Sequence, residues 1–175
     1  MTKDKNLIGA AGEYLVLSRL LQRGILSSLS PFNSYKADIL VNPVNGGDAF
    51  YIQVKTTTKI DKSEWNVSEK DLKHNDKNMF YCFVELNSTP QRIFVIPAKK
   101  VSQVLIDSDR AYMNKPMKDG SKRTAHKFRL LKNDFSTTVK SAPSGWMDKY
   151  LENWEPLNAA NQALIAKVTR KAPPS

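Results

Sequence analysis

Cysteine and histidine are scarce in this chain. Among its 175 residues there are one cysteine, Cys82, and two histidines, His74 and His126, which lie far apart in polar sequence. A single cysteine cannot close an intrachain disulfide, and these three residues lack the spacing of a structural zinc site. The sequence therefore excludes a disulfide scaffold, and we expect Cys82, inside an apolar run, to be a buried core residue.

Long apolar runs are also missing. No run approaches the ~20 residues that a membrane-spanning helix needs. Residues 1–6 are charged, without the apolar core or the small-residue cleavage site of a signal peptide. We therefore expect a soluble, cytoplasmic protein that does not act at a membrane.

The length of the chain favours a single domain that needs no metal or disulfide for stability. We predict this domain over residues 1–156, with a basic loop at about residues 107–127. Residues 157–175 are predicted to form a C-terminal helix followed by a disordered tail.

Positive charge is in excess and unevenly distributed. The formal net charge is +10, and residues 91–140 hold 12 Lys and Arg against 4 Asp and Glu. A concentrated positive field attracts polyanions and favours salt-dependent contacts to nucleic-acid phosphates. A solvated basic loop with no partner is the alternative interpretation.

The first predicted element is a helix that carries an unusually placed carboxylate. Apolar residues recur on most turns from Leu7 to Arg23, and Gly24 suits the left-handed conformation that follows a helix. Small and apolar residues flank Glu13 on this helix, so its side chain is predicted to point toward the core. A carboxylate there requires a cation, a metal ion or several hydrogen-bond donors. An Arg, a Lys or a backbone amide at the rim would also serve.

A hairpin is predicted next, from Ala37–Val41 and Ala49–Thr57 with a turn-like sequence between them. Alternate residues of a strand share a face, so Gln53 and Lys55 project together and lie beside Asp38 if the two strands pair. The alternatives are that Asp38 bonds a turn amide and that Lys55 extends its amine to solvent.

The remaining pattern predicts an α/β protein with a central mixed sheet of about four to five strands flanked by helices. The aromatic residues between positions 146 and 154 recur at helical spacing and are expected to pack on the sheet. The other predicted elements are a short helix at 69–73, strands at 79–86 and 92–96, a helix at 98–106 and one more strand at 128–131.

Glu13 on a helix, Asp38 on a strand and Gln53-Val54-Lys55 on the next strand resemble the PD-(D/E)XK nuclease superfamily. The resemblance spans roughly residues 7–106. Gly12-Glu13 and the strand segment 52–56 are similar to small restriction-endonuclease-like and Holliday-junction-resolvase-like members with a Q-x-K triplet. Two positions depart from the family pattern: Ala37 replaces a proline, and Gln53 replaces a carboxylate found in many members.

This resemblance implies a restriction-endonuclease-like core and a set of catalytic residues. Asp38, Gln53 and Glu13 would bind Mg²⁺ or Mn²⁺, and the Val54 carbonyl could add a ligand. Lys55 would position or activate water. Such hard oxygen donors suit Mg²⁺, which would polarise the scissile phosphate and lower the pKa of bound water.

The sequence leaves three functions open. The first is a Mg²⁺-dependent endonuclease that hydrolyses DNA, alone or as a homodimer. The second is a nucleic-acid-binding protein whose site no longer binds metal, and the third is a partner-binding subunit of a defence or toxin complex. The candidate phosphate-binding residues are Lys36, Lys59, Lys99, Lys100, Lys122 and Arg123.

Overall fold

The structure is a computed structural model that describes residues 4–31, 37–42, 48–59, 62–68, 76–117, 121, 123, 128–135 and 139–158. No helix in these ranges is long and apolar enough to cross a membrane. The elements are α1 (Lys5–Gln22), β1 (Ser27–Leu29), β2 (Ile39–Val41), β3 (Phe50–Thr57), β4 (Glu64–Ser68), β5 (Met79–Glu85), β6 (Arg92–Pro97), α2 (Ala98–Met113) and β7 (Phe128–Lys132).

Five strands form a mixed sheet in the order β1-β2-β3-β5-β6. The pair β3–β5 is parallel, and the other neighbours are antiparallel. Every residue of β5 is buried, as expected for a central strand covered on both faces. The predicted α/β fold with a mixed sheet of about four to five strands and flanking helices is confirmed.

Each face of the sheet has its own core. On one face, α1 packs its buried stripe of Gly12, Val16 and Leu20 against β3 and its neighbours. Cys82 belongs to this core and is fully buried, as predicted. On the opposite face lie α2 and a two-stranded ribbon of β4 and β7.

Trp65 attaches the ribbon to the main sheet. It is 2% exposed, its ring centroid lies 5.3 Å from that of Phe83, and its indole N–H donates to the Val84 carbonyl at 3.1 Å. A buried tryptophan with its N–H satisfied contributes a large apolar area without an unpaired polar group. The ribbon is a separate sheet in the described structure, so packing between sheets holds it in place.

Several boundaries follow the sequence closely. Gly24 has φ of +72°, and its N–H donates to the Leu21 carbonyl at 2.9 Å, which ends α1 as predicted. The hairpin β2–β3 and the hairpin β5–β6 are both present. The predicted helix at 69–73 lies outside the described residues.

Two strands were not predicted, and one predicted strand pairs elsewhere. β1 is only three residues long, and β4 lies in a stretch that reads as polar because Glu64, Asn66 and Ser68 alternate with just two apolar residues. The strand predicted at 128–131 is present as β7. It pairs with β4 instead of extending the central sheet, which takes β1 as its fifth strand.

The basic loop predicted at 107–127 begins later than expected. The helix predicted to end at 106 continues to Met113, so residues 107–113 are helical. Gln103 donates to Asp107 one turn away at 3.1 Å, and Ala111 packs against the core, which together extend the helix. The described remainder of the loop, residues 114–117, 121 and 123, contains no regular element.

The aromatic residues near the end of the described chain pack as expected, but they do so without a long helix. Trp146 lies in the core on the α2 side and Trp154 in the core on the α1 side. Gly145 has φ of +71°, and a short 3₁₀ turn spans Asp148–Tyr150. Residues 155–158 form one helical turn, and the predicted C-terminal helix beyond them lies outside the described residues.

Two glycines of α1 have contrasting surroundings. A Cβ built on Gly12 would lie 1.9 Å from the Thr56 hydroxyl oxygen of β3, whereas a Cβ on Gly9 would meet nothing within 4 Å. Gly12 thus allows the close approach of α1 to β3. Packing within the protein does not explain Gly9, which costs helix stability relative to alanine.

We therefore expect opposite effects of two alanine substitutions. Gly12→Ala should destabilise the protein by about 1–3 kcal/mol, because the helix must shift or Thr56 must move. Gly9→Ala should stabilise it by about 0.5–1 kcal/mol through helix propensity. Urea unfolding of both variants and wild type measures the difference, and equal stabilities of the two variants would contradict this account of the α1–β3 contact.

Candidate active site

Asp38 lies immediately before β2 and is held from both sides. Its backbone N–H donates to the Ile52 carbonyl of β3 at 2.9 Å, and its carbonyl accepts from Ser30 N–H at 2.8 Å. One carboxylate oxygen, Oδ2, accepts from the Gln53 side-chain amide and from the Val54 backbone N–H, the latter at 2.7 Å. The structure therefore brings Asp38 and Gln53 together.

The register explains why the carboxylate reaches a backbone amide. Ile39 pairs with Ile52, which places Val54 opposite Ala37, beyond the first residue of β2. The Val54 N–H therefore meets the Asp38 side chain where ladder pairing has stopped. A carboxylate that accepts a backbone N–H is favoured in its charged form, and this contact orients the side chain toward β3.

Glu13 approaches the same place from the helix. It follows Gly12, the residue at which α1 contacts β3, and it is partly buried. Burial raises the pKa of Glu13, and the negative charge of Asp38 raises it further. Two carboxylates near enough to repel each other leave negative charge that a cation would neutralise.

Lys55 lies two residues beyond Gln53, on the same face of β3. It pairs in register with Phe83 of β5 and lines a cavity of about 200 Å³ with Glu64 and Asn66 of β4. The sequence placed Gln53 and Lys55 on one face of the strand. The structure adds that β4 forms the opposite wall.

The donor set fits a hard divalent cation. Glu13 and Asp38 offer carboxylate oxygens and Gln53 an amide oxygen, the ligand types that Mg²⁺ and Mn²⁺ accept, with water completing the coordination. Gln53 now presents its amide N–H to Asp38; as a ligand it would present its oxygen instead. Among the described residues, no three His, Cys, Asp or Glu side chains converge as a metal-binding group. A site here would therefore depend on the amide oxygen.

The candidate phosphate-binding residues are scattered. Lys59 follows β3, is exposed and forms an ion pair with Glu64 at 3.1 Å. Lys99 is exposed at the start of α2. Lys36 and Lys122 lie outside the described residues.

Two other candidates make contacts within the protein. The Lys100 amine donates to the Ser141 carbonyl and lies 5.6 Å from the centre of the Trp146 ring, and burial lowers its pKa. The Arg123 guanidinium lies 4.5 Å from the centre of the Tyr112 ring. The role of both residues as phosphate ligands stays a prediction.

Sequence reasoning missed the charged end of the ribbon. Glu64 of β4 bridges Lys59 at 3.1 Å and Lys132 of β7 at 3.0 Å. The hydrogen bond from Lys132 is the main cause that lowers the pKa of Glu64. The alternation of Glu64, Asn66 and Ser68 with buried Trp65 and Val67 is the signal that could have revealed this strand.

Comparison with known proteins identifies a shared fold. No protein-family profile and no curated protein matches the sequence. Among solved structures, the bacterial homing endonuclease I-Ssp6803I matches with a TM-score of 0.52 and 14% sequence identity, over 94% of this chain and 98% of that one. The chain therefore shares its overall fold with that structure.

The pKa of Glu13 generates a pH-dependent prediction. Below the usual pKa of 4.5, Glu13 is neutral and does not destabilise the folded protein. As the pH rises through its raised pKa in the folded protein, Glu13 becomes charged and the free energy of unfolding falls. Glu13→Gln stays neutral, so in the absence of divalent cations it should match wild type at about pH 4 and be more stable at about pH 7. Solvent screening limits the gain to about 0.5 kcal/mol.

Thermal unfolding across this pH range in EDTA measures the effect. Asp134→Asn, which removes an exposed carboxylate outside the site, is the matched control. A difference between Glu13→Gln and wild type that does not change with pH would contradict the assigned repulsion.

Proposed function

We propose that the protein is a metal-dependent endonuclease that hydrolyses DNA phosphodiester bonds, with a PD-(D/E)XK-type site. The observation that carries the proposal is that Asp38 accepts from the Gln53 amide and the Val54 N–H while its charge acts on Glu13 of α1. Lys55 lies two residues beyond Gln53 on the same face of β3. The fold shared with a homing endonuclease supports it. The concentrated positive charge supports a polyanionic substrate.

Each residue has a defined task in this proposal. Asp38, Gln53 and Glu13 would hold Mg²⁺ or Mn²⁺ through their side-chain oxygens. The bound cation supplies a Lewis acid that polarises the phosphate and acidifies a water molecule. Lys55 stabilises negative charge on the phosphate oxygens or orients the attacking water with its ammonium group. The new P–O bond forms as the bond to the leaving oxygen breaks.

The orientation of Asp38 and the protonation of Glu13 bear on how the site would bind a cation. The Val54 N–H holds one oxygen of Asp38, which keeps the carboxylate aimed at the site. Because the pKa of Glu13 is raised, its carboxyl group holds a proton more tightly than usual. A cation that binds Glu13 must displace this proton. Cleavage should therefore rise with pH as Glu13 ionises.

A second candidate function is DNA binding without cleavage. It is favoured by one observation: Asp38 Oδ2 already accepts two hydrogen bonds, one of them from Gln53 in the orientation that a metal ligand would not adopt. A purely structural Asp38 would look the same. No contact among the described residues favours the partner-binding function.

Plasmid cleavage separates these functions. Purified protein should nick supercoiled DNA with Mg²⁺ or Mn²⁺ and not with EDTA. Asp38→Asn and Lys55→Ala should each lower the rate by about 100-fold or more, as the loss of one charge-stabilising group in an active site does. The rates are measured by the conversion of supercoiled to open-circular plasmid.

Asp48→Asn and Lys77→Ala are the matched controls, because they remove the same charges from exposed positions outside the site. Both should cleave at the wild-type rate. A wild-type protein that shifts the plasmid in a gel without cutting it in either metal would support the binding function instead.

A further inference from the structure

A second cavity lies beside the candidate active site and has no assigned ligand. It has a volume of about 640 Å³ and opens between the first turns of α1 and the end of β3. The cavity beside Lys55 shares part of its wall, including Thr56, Thr57, Lys59 and Asn66. The two therefore form one groove that starts at Lys55.

The wall of the larger cavity is polar and positively charged. It contains Lys5 and Lys59, the threonines at 56–58 and Asn66, and the described residues that line it include no carboxylate. The N-terminus of α1 lies on the same side, but the Asp4 carboxylate already caps it by accepting from the Asn6 N–H at 2.9 Å, so the two lysines supply the positive charge of this wall. Hydroxyl, amide and ammonium groups of this kind are the usual partners of a sugar-phosphate backbone.

Gly9 on the groove wall gives an independent argument. A glycine inside a helix weakens it relative to alanine, and no atom lies within 4 Å of where its Cβ would be. Internal packing therefore does not require glycine here, in contrast to Gly12. The missing side chain leaves the groove open along α1, where a ligand backbone would approach.

Lys59 can serve a ligand without leaving an unpaired charge behind. It forms an ion pair with Glu64 at 3.1 Å, but Glu64 also holds Lys132 at 3.0 Å. If Lys59 turns to a phosphate, Glu64 keeps its second partner. Lys59 is also 55% exposed at its side chain, so the move needs little rearrangement.

We propose that this groove binds the backbone of the DNA strand that leaves the candidate active site, with Lys5 and Lys59 on its phosphates and Asn66 on its wall. This inference rests on the proposed function and extends it to the path of the substrate. It makes α1 both a support for Glu13 and one wall of the DNA-binding surface.

Binding of a short labelled DNA duplex, followed by fluorescence anisotropy in EDTA, tests the groove apart from cleavage. Gly9→Leu fills the groove and should weaken binding by about tenfold or more. Gly9→Ala gives a graded comparison, since it adds only a methyl group and should therefore weaken binding by less than Gly9→Leu does.

Salt dependence gives a second readout. The double variant Lys5→Gln with Lys59→Gln should lower the slope of log K against log salt by about 2, because each lysine neutralises one phosphate in the wild-type complex. Lys77→Gln removes a charge near the start of β5, about 20 Å along the sheet from the groove, and should leave the slope unchanged.

The outcomes of these experiments distinguish a failure of the groove proposal from a failure of the proposed function. Wild-type protein that binds and cuts DNA, with Gly9→Leu and the double lysine variant unchanged in affinity and slope, would overturn the groove alone. Wild-type protein that neither binds the duplex nor cuts plasmid would overturn the proposed function and the groove together. Folding of each variant is checked by its urea unfolding curve.

Discussion

The contact between α1 and β3 at Gly12 governs the rest of this structure. Because Gly12 has no side chain, the helix lies close enough to Thr56 to seal one core of the sheet. The next residue, Glu13, is carried with it to the edge where Asp38 meets β3. One missing side chain therefore couples packing to electrostatics: the approach that buries Val16 and Leu20 also brings two carboxylates together at a cost in repulsion.

The two faces of the sheet contribute different residues to the candidate site. α1 brings Glu13 to β3 from one face, whereas Gln53 and Lys55 project from β3 toward the other face, where the ribbon supplies Glu64 and Asn66 around Lys55. β3 connects them, since alternate residues of a strand reach opposite faces. The segment from Gln53 to Lys59 thus holds a candidate metal ligand and two lysines within seven residues of the chain.

The sequence was sufficient where the pattern is local. Alternation in β3 predicts Gln53 and Lys55 on one face, and pairing with the strand at 39–41 brings Asp38 to Gln53. The sequence was insufficient where tertiary contacts decide which segments become strands and how they pair. β4 has two apolar residues and becomes a strand because Trp65 finds a site against Phe83, and its pairing with β7 joins segments about 60 residues apart in the chain. Neither the packing of Trp65 against Phe83 nor the pairing of β4 with β7 is visible in a window of a few residues.

The burial of Cys82 has a practical consequence for chemistry on this protein. It is the sole cysteine of the chain, it is fully buried in the core beneath α1, and burial raises the pKa of its thiol. Thiolate is the form that reacts with alkylating reagents, so the native protein should resist labelling. A cysteine introduced at an exposed position would then be modified selectively, with Cys82 left in place. Reaction at Cys82 itself would report the opening of the core.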